Sequence, residues 1–236
     1  AYTNTENPQI LYVRIEDDMT AVTGCYADTT LELFVQIPPP VSDPPALEYC
    51  DADADGFGVF NLTDSDEAIA NGLPNLLISY HETQADAENN LFPIIGEYDN
   101  IVAYEQTIYV RVEDTTITTD CFSYIELLLV VNDVPQINTD PSSLEVCDDD
   151  TDGLGLFDLS LSNDEVLNGL DPSEFTISYY ESSENAENTE NPIVTPFAYT
   201  NITPFNQTVW VHVENNTTAC YLSLIHISEP TRHLDI

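Results

Sequence analysis

One seven-residue stretch occurs twice. Cys50-Asp51-Ala52-Asp53-Ala54-Asp55-Gly56 returns about 97 residues on as Cys147-Asp148-Asp149-Asp150-Thr151-Asp152-Gly153. Further matches keep nearly the same period. Gln9-Ile10-Leu11-Tyr12-Val13-Arg14-Ile15-Glu16 aligns with Gln106-Thr107-Ile108-Tyr109-Val110-Arg111-Val112-Glu113 and with Gln207-Thr208-Val209-Trp210-Val211-His212-Val213-Glu214. A cysteine follows each of these: Cys25, Cys121 and Cys220. Ile78-Ser79-Tyr80-His81-Glu82 likewise aligns with Ile177-Ser178-Tyr179-Tyr180-Glu181. A period this long is a whole domain, beyond the unit of a solenoid.

The period predicts six segments. Residues 1–38 are the C-terminal strands of a truncated first domain, and 39–45 a Pro-rich linker. Residues 46–133 form a complete domain, 134–142 a second linker, and 143–221 a third domain lacking its last strand. Ala1 opens inside a repeat, so the sequence reads as an internal piece whose lack of a signal peptide says nothing about export. Proline at the linkers favours extended joints and a rod of beads. Residues 222–236 resemble the translation of a transposase-type sequencing adapter and are set aside, although the alternation of Leu222, Leu224 and Ile227 would let them dock as a substitute strand.

Within a unit, short runs of Val, Ile, Tyr and Thr alternate with Asn/Asp/Pro/Gly turns, which predicts an all-β fold of tandem immunoglobulin-like β-sandwich domains. In the run from Gln106 to Asp114, Ile108, Val110 and Val112 take one face, and Tyr109, Arg111 and Glu113 the outward one. Helical signals are brief, at 65–72 and 162–169, where a serine offers a cap and a glycine a stop.

The repeated acidic stretch is the candidate site. Aspartates at alternate positions closed by a glycine turn several oxygens toward one point, as a hard cation such as Ca2+ requires. The expected ligands are Asp51, Asp53 and Asp55 in one copy and Asp148, Asp150 and Asp152 in the other. The spacing resembles the first half of an EF-hand loop, but position 12 is Leu62 or Leu159 where that loop needs a bidentate acid. Further ligands would come from Asp66 or Glu67, and from Asp164 or Glu165.

Five cysteines at repeating positions fit disulfides in an oxidising compartment, and no CxxC pair suggests zinc. In a sandwich, the loop before the last strand lies at the same end as the amino terminus. That reasoning pairs Cys50 with Cys121 and Cys147 with Cys220, leaving Cys25 unpaired. Bonds across the linkers, Cys25–Cys50 and Cys121–Cys147, are the alternative.

Charge excludes other classes. Forty-three acids against three arginines give a formal charge of −40, which repels nucleic acid and anionic lipid. A hydrophobic content of 42% argues against disorder, and no apolar run is long enough to span a membrane. No phosphate loop, serine elbow or metalloprotease helix occurs, so the reading is non-enzymatic. Arg14, Arg111 and His212 read as cations paired with nearby acids, and Tyr12, Tyr109 and Trp210 as cross-strand packing rather than a sugar platform.

Together, Cys-Asp-x-Asp-x-Asp-Gly-x-x-x-Phe-(Asn/Asp)-Leu, Ile-Ser-Tyr-(His/Tyr)-Glu and Gln-Thr-(Ile/Val)-(Tyr/Trp)-Val-(Arg/His)-Val-Glu resemble the tandem repeats of very large surface proteins of Bacteroidetes, especially marine flavobacteria. The resemblance implies an adhesin exported by type IX secretion, with a gliding-motility-type sorting domain elsewhere in the protein. The expected role is a Ca2+-stiffened, disulfide-stapled stalk on the cell surface, outside the cell. Its partners would be neighbouring repeats of the same chain, with like chains or surface glycans as further candidates. Alternatives are a subunit of an extracellular filament built by strand exchange, or repeats that bind glycans directly.

Overall fold

The computed structural model describes residues 1–16, 26–117, 119 and 121–228, with the backbone alone from 224 on. Cys25 and residues 229–236 of the adapter-like tail lie outside the described residues. The chain falls into two compact units. One comprises Ala1–Pro45, Asn61–Gly96 and Thr107–Leu128, the other Ala46–Phe60, Glu97–Gln106 and Leu129–Ile236. The architecture is all-β, with tandem immunoglobulin-like domains and only short helices.

In the first unit, β1 (Gln9–Glu16) and β2 (Tyr26–Leu33) form an antiparallel hairpin. The middle repeat begins in the second unit with β3 (Leu47–Asp51) and β4 (Val59–Phe60). It continues through α1 (Asp66–Ala70), β5 (Leu76–His81), α2 (Gln84–Asn89), β6 (Tyr98–Asp99), β7 (Glu105–Asp114) and β8 (Phe122–Asp133). Its larger sheet has the order β3-β8-β7-β5, and β4 pairs with β6. The third repeat follows the same plan. It has β9 (Leu156–Phe157), α3 (Asn163–Leu167), β10 (Phe175–Tyr180), α4 (Ser183–Glu187), β11 (Tyr199–Thr200), β12 (Gln207–Asn215) and β13 (Tyr221–Ser228).

The alternation in β7 holds on its apolar face, where Ile108, Val110 and Val112 are fully buried. Its other face is not outward as expected. Arg111 is only 2% exposed, and so is its counterpart His212. The reason is α2, which the sequence reading missed. Arg111 Nη1 donates to the carbonyls of Ala87 and Glu88 at the end of α2, each at 3.1 Å, and its guanidinium stacks 3.6 Å over Phe122. In the third repeat the His212 Nδ1 position lies 3.1 Å from Ala186 O of α4, and the ring stacks on Tyr221 at 4.5 Å. The acid pairing expected of the cations is present: Arg111 Nε meets Glu113 at 2.5 Å, and Arg14 meets Glu16 at 2.7 Å. Tyr109 and Trp210 are half-buried, whereas Tyr12 is exposed.

The linkers are docked segments. Ser42 N donates to Ile69 O in the first unit, and Asn138 N to Val166 O in the second. Ile137 thereby enters the core of the third repeat beside Leu159, Val166, Tyr179 and Val211. The last-strand position of that repeat is filled by Tyr221–Ser228, which runs antiparallel to β12 from Glu214↔Tyr221 to Gln207↔Ser228.

Candidate functional site

The two acidic loops fold alike because their first aspartate closes each one from inside. Asp51 Oδ2 accepts from Gly56 N at 2.8 Å and Oδ1 from Asp53 N at 3.1 Å. Asp148 Oδ2 accepts from Gly153 N at 2.8 Å and Oδ1 from Thr151 N at 2.8 Å. Gly56 and Gly153 have φ of +82° and +81°, a region where a side chain is strained. An asparagine then clamps each turn. Asn100 accepts from Gly58 N at 2.6 Å and donates to Gly56 O at 2.9 Å, and Asn201 repeats this with Gly155 and Gly153 at the same distances.

The expected triads do converge. One oxygen from each of Asp51, Asp53 and Asp55 lies within 4.8 Å of the others, as do those of Asp148, Asp150 and Asp152. The Gly56 N–H holds the Asp51 carboxyl below its ordinary value, and Gly153 N–H does the same for Asp148. Asp53 is pushed up, first by its hydrogen bond to Asp51 and then by the charge of Asp55. Asp150 is pushed up chiefly by Asp152. Three carboxylates at this spacing suit a hard oxygen-seeking cation. Leu62 and Leu159 at loop position 12 are core residues, 2% and 3% exposed, so neither loop closes as an EF-hand.

The additional ligands named from sequence are not in these clusters among the described residues. Asp66 accepts from Tyr80 Oη at 2.5 Å, and Glu165 accepts from Ser142 N and Oγ, each at 2.9 Å. Glu67 and Asp164 lie in the first turns of α1 and α3.

The cysteine pairing differs from the expectation. Cys50 is bonded to Cys220, with an S–S distance of 2.08 Å across a sequence separation of 170. Cys121 and Cys147 are free thiols, so neither Cys50–Cys121 nor Cys147–Cys220 forms, and Cys121–Cys147 does not form either. The topology supplies the reason. β3 runs parallel to β8 with Cys50 opposite Asn132, at the far end of a strand whose near end follows Cys121. The last loop of the same repeat is therefore at the wrong end of β8. What lies there is the next repeat, whose buried Cys220 has its Sγ 3.8 Å from Asn132 O.

Repeated sandwiches joined in this way define a class: tandem β-domains stapled to their neighbours by disulfides. The chain belongs to the Flavobacterium inter-domain disulphide bond domain family, which it matches over residues 46–135 and again over 143–227. No curated protein matches the sequence. Among solved structures, the chain is similar to the bradyzoite-specific antigen BSR4 of Toxoplasma gondii, at 9% identity and TM-score 0.21, over 83% of this chain and 94% of that one. It is also similar to zebrafish RET cadherin-like domains 1 to 4, at 11% identity and TM-score 0.22, over 97% of this chain and 60% of that one. An endo-fucoidan hydrolase of glycoside hydrolase family 107 overlaps at 11% identity and TM-score 0.15, over 97% of this chain and 35% of that one. Likenesses this weak support no assignment.

Proposed function

We propose that this chain is a non-enzymatic, load-bearing stretch of an extracellular adhesin stalk, exported to the surface of a flavobacterial cell. The observation that carries the reading is the Cys50–Cys220 bond. Tension entering before Cys50 passes through sulfur to Cys220 and leaves beyond it, so the folded body between them is bypassed. A persistent disulfide of this kind belongs to an oxidising compartment. The formal charge of −40 suits a surface that stays apart from nucleic acid and anionic lipid.

Calcium is part of the same reading. Asp51, Asp53 and Asp55 would hold one ion and Asp148, Asp150 and Asp152 another, neutralising the neighbouring carboxylates that now push Asp53 and Asp150 up. With a leucine at position 12, water or backbone carbonyls would have to complete the shell. Strand exchange is disfavoured because Tyr221–Ser228 of the same chain fills the last-strand position of the third repeat. Direct glycan stacking is disfavoured because Tyr109 and Trp210 are half-buried.

Single-molecule extension of the full chain tests the stalk. Oxidised protein should resist unfolding between Cys50 and Cys220. Adding reductant should release about 560–610 Å of contour length, from a loop of 170 residues at roughly 3.3–3.6 Å each. Release of that length before reduction would contradict the reading.

A further inference from the structure

The repeats align His212 with Arg111, and the exchange leaves one buried nitrogen without a hydrogen bond. Arg111 is a permanent cation that reaches Ala87 O through Nη1 at 3.1 Å and Glu113 through Nε at 2.5 Å. His212 faces the counterparts of both, Ala186 O and Glu214. Its Nδ1 lies 3.1 Å from Ala186 O and 3.1 Å from Ser223 Oγ, and Ser223 Oγ donates to the same carbonyl at 3.4 Å. A carbonyl only accepts, so the ring proton belongs on Nδ1. Nε2 is then a buried lone pair with no hydrogen-bond partner, 3.7 Å from Glu214 Oε2. Two acceptors thus face each other with no donor between them. The sequence supplies no lysine, and its arginines are Arg14, Arg111 and Arg232, so residues 143–221 carry no permanent cation to put there.

We propose that His212 Nε2 and the Glu214 carboxylate bind a borderline transition-metal cation of the Zn2+ kind, with water completing its shell. An Nδ1 proton given to a backbone carbonyl is the arrangement that fixes the tautomer and orientation of metal-ligating imidazoles. The ring is also held from its sides, stacked on Tyr221 at 4.5 Å and edge-on to Tyr180 at 6.2 Å. Two ligands about 2.0–2.1 Å from one tetrahedral ion lie roughly 3.4 Å apart. Glu214, whose side chain is 40% exposed, turns through the few tenths of an ångström that remain and leaves the ion open to water. An imidazole nitrogen selects Zn2+, Ni2+ or Cu2+ over the hard ions suited to the aspartate triads. The ion fills in the third repeat the place that the Arg111 guanidinium fills in the middle one. The inference does not depend on the stalk reading.

The test is thermal unfolding of the full chain at about pH 8, with Cys121 and Cys147 alkylated so that neither thiol takes the metal, and with excess Ca2+ to compete at the aspartate triads. The wild-type melting temperature should rise with Zn2+, and go on rising by a similar step for each tenfold increase once the site is filled. His212→Arg, which restores the residue of the middle repeat, should lose that response. Glu214→Gln should shift it to at least tenfold higher Zn2+. The other histidines are common to all three chains. No rise in the wild type, or an equal rise in His212→Arg, overturns the inference. Spin resonance of bound Cu2+ gives a second reading. The wild type should show splitting by an imidazole nitrogen that His212→Arg lacks, and identical spectra would overturn the assignment. None of these outcomes bears on the Cys50–Cys220 bond.

Discussion

Asp51 and Asp53 are two residues apart and respond to pH in opposite directions. Asp51 is held below its ordinary value of 3.8 by Gly56 N–H. Its contribution to stability is therefore present above pH 3.8 and lost as pH falls through the folded-state value. Asp53 is raised by its hydrogen bond to Asp51 and by Asp55, so its contribution is present below 3.8 and lost as pH rises through its folded value. At neutral pH the ionised Asp53 thus opposes folding unless a cation lies between the carboxylates. Asp53→Asn should raise the melting temperature in chelator and remove most of the gain that Ca2+ gives the wild-type chain, as read by thermal unfolding at matched ionic strength. An equal response to Na+ would reduce the loop to charge screening. Gly58 is constrained differently. A Cβ there would meet the Tyr49 ring at 2.3 Å, and that ring already packs against Phe60 at 5.9 Å. Gly58→Ala should cost about 1–3 kcal/mol in urea unfolding, with much of the loss recovered on a Tyr49→Ala background.

Among the elements, the strands were legible and two helices were not. β7 and β12 declare themselves by alternation, and their Val and Ile positions are buried as that pattern requires. The helices α2 and α4 are each under seven residues and carry little apolar periodicity, so the only available signal was the cap. Thr83 accepts from Asp86 N and Ser182 from Asn185 N, an N-cap pattern present in both repeats. The serines expected to cap α1 and α3 do not do so. Ser65 and Ser162 instead end short 3₁₀ turns that run into the helices. Missing α2 is what made Arg111 read as outward, since its buried partners are carbonyls of that helix. Arg111→Leu should cost about 1–3 kcal/mol by removing the donor to Glu88 O and leaving the buried Ala87 O with only the 3.4 Å bond from Asn90 N. Arg111→His should cost clearly less, because His212 serves the equivalent position next to Ala186 O. Equal losses in the two variants, measured by urea unfolding, would contradict this account.

At the scale of the molecule, the repeat was plain in the sequence but the direction of its covalent links was not. Spacing of Cys50 and Cys121 is the same whether a bond closes one repeat or joins two. The deciding fact is that β3 runs parallel to β8, which places Cys50 beside Asn132 and the following repeat. The acidic loops were legible because one glycine and three aspartates fix both the turn and the convergence of oxygens, whereas Asp66, Glu67, Asp164 and Glu165 follow the loops in sequence but lie outside both clusters. Closing a loop of 170 residues stabilises the folded chain by about 5 kcal/mol in the chain-entropy account, so Cys50→Ser with Cys220→Ser should lower the unfolding free energy by about that amount. The most direct test of the account is the disulfide map of the oxidised full chain, read by mass spectrometry after free thiols are alkylated without reduction. It should yield a Cys50–Cys220 crosslinked peptide with Cys121 and Cys147 alkylated. Crosslinks Cys50–Cys121 and Cys147–Cys220 would show that each repeat is closed on itself, and the staple between repeats would be wrong.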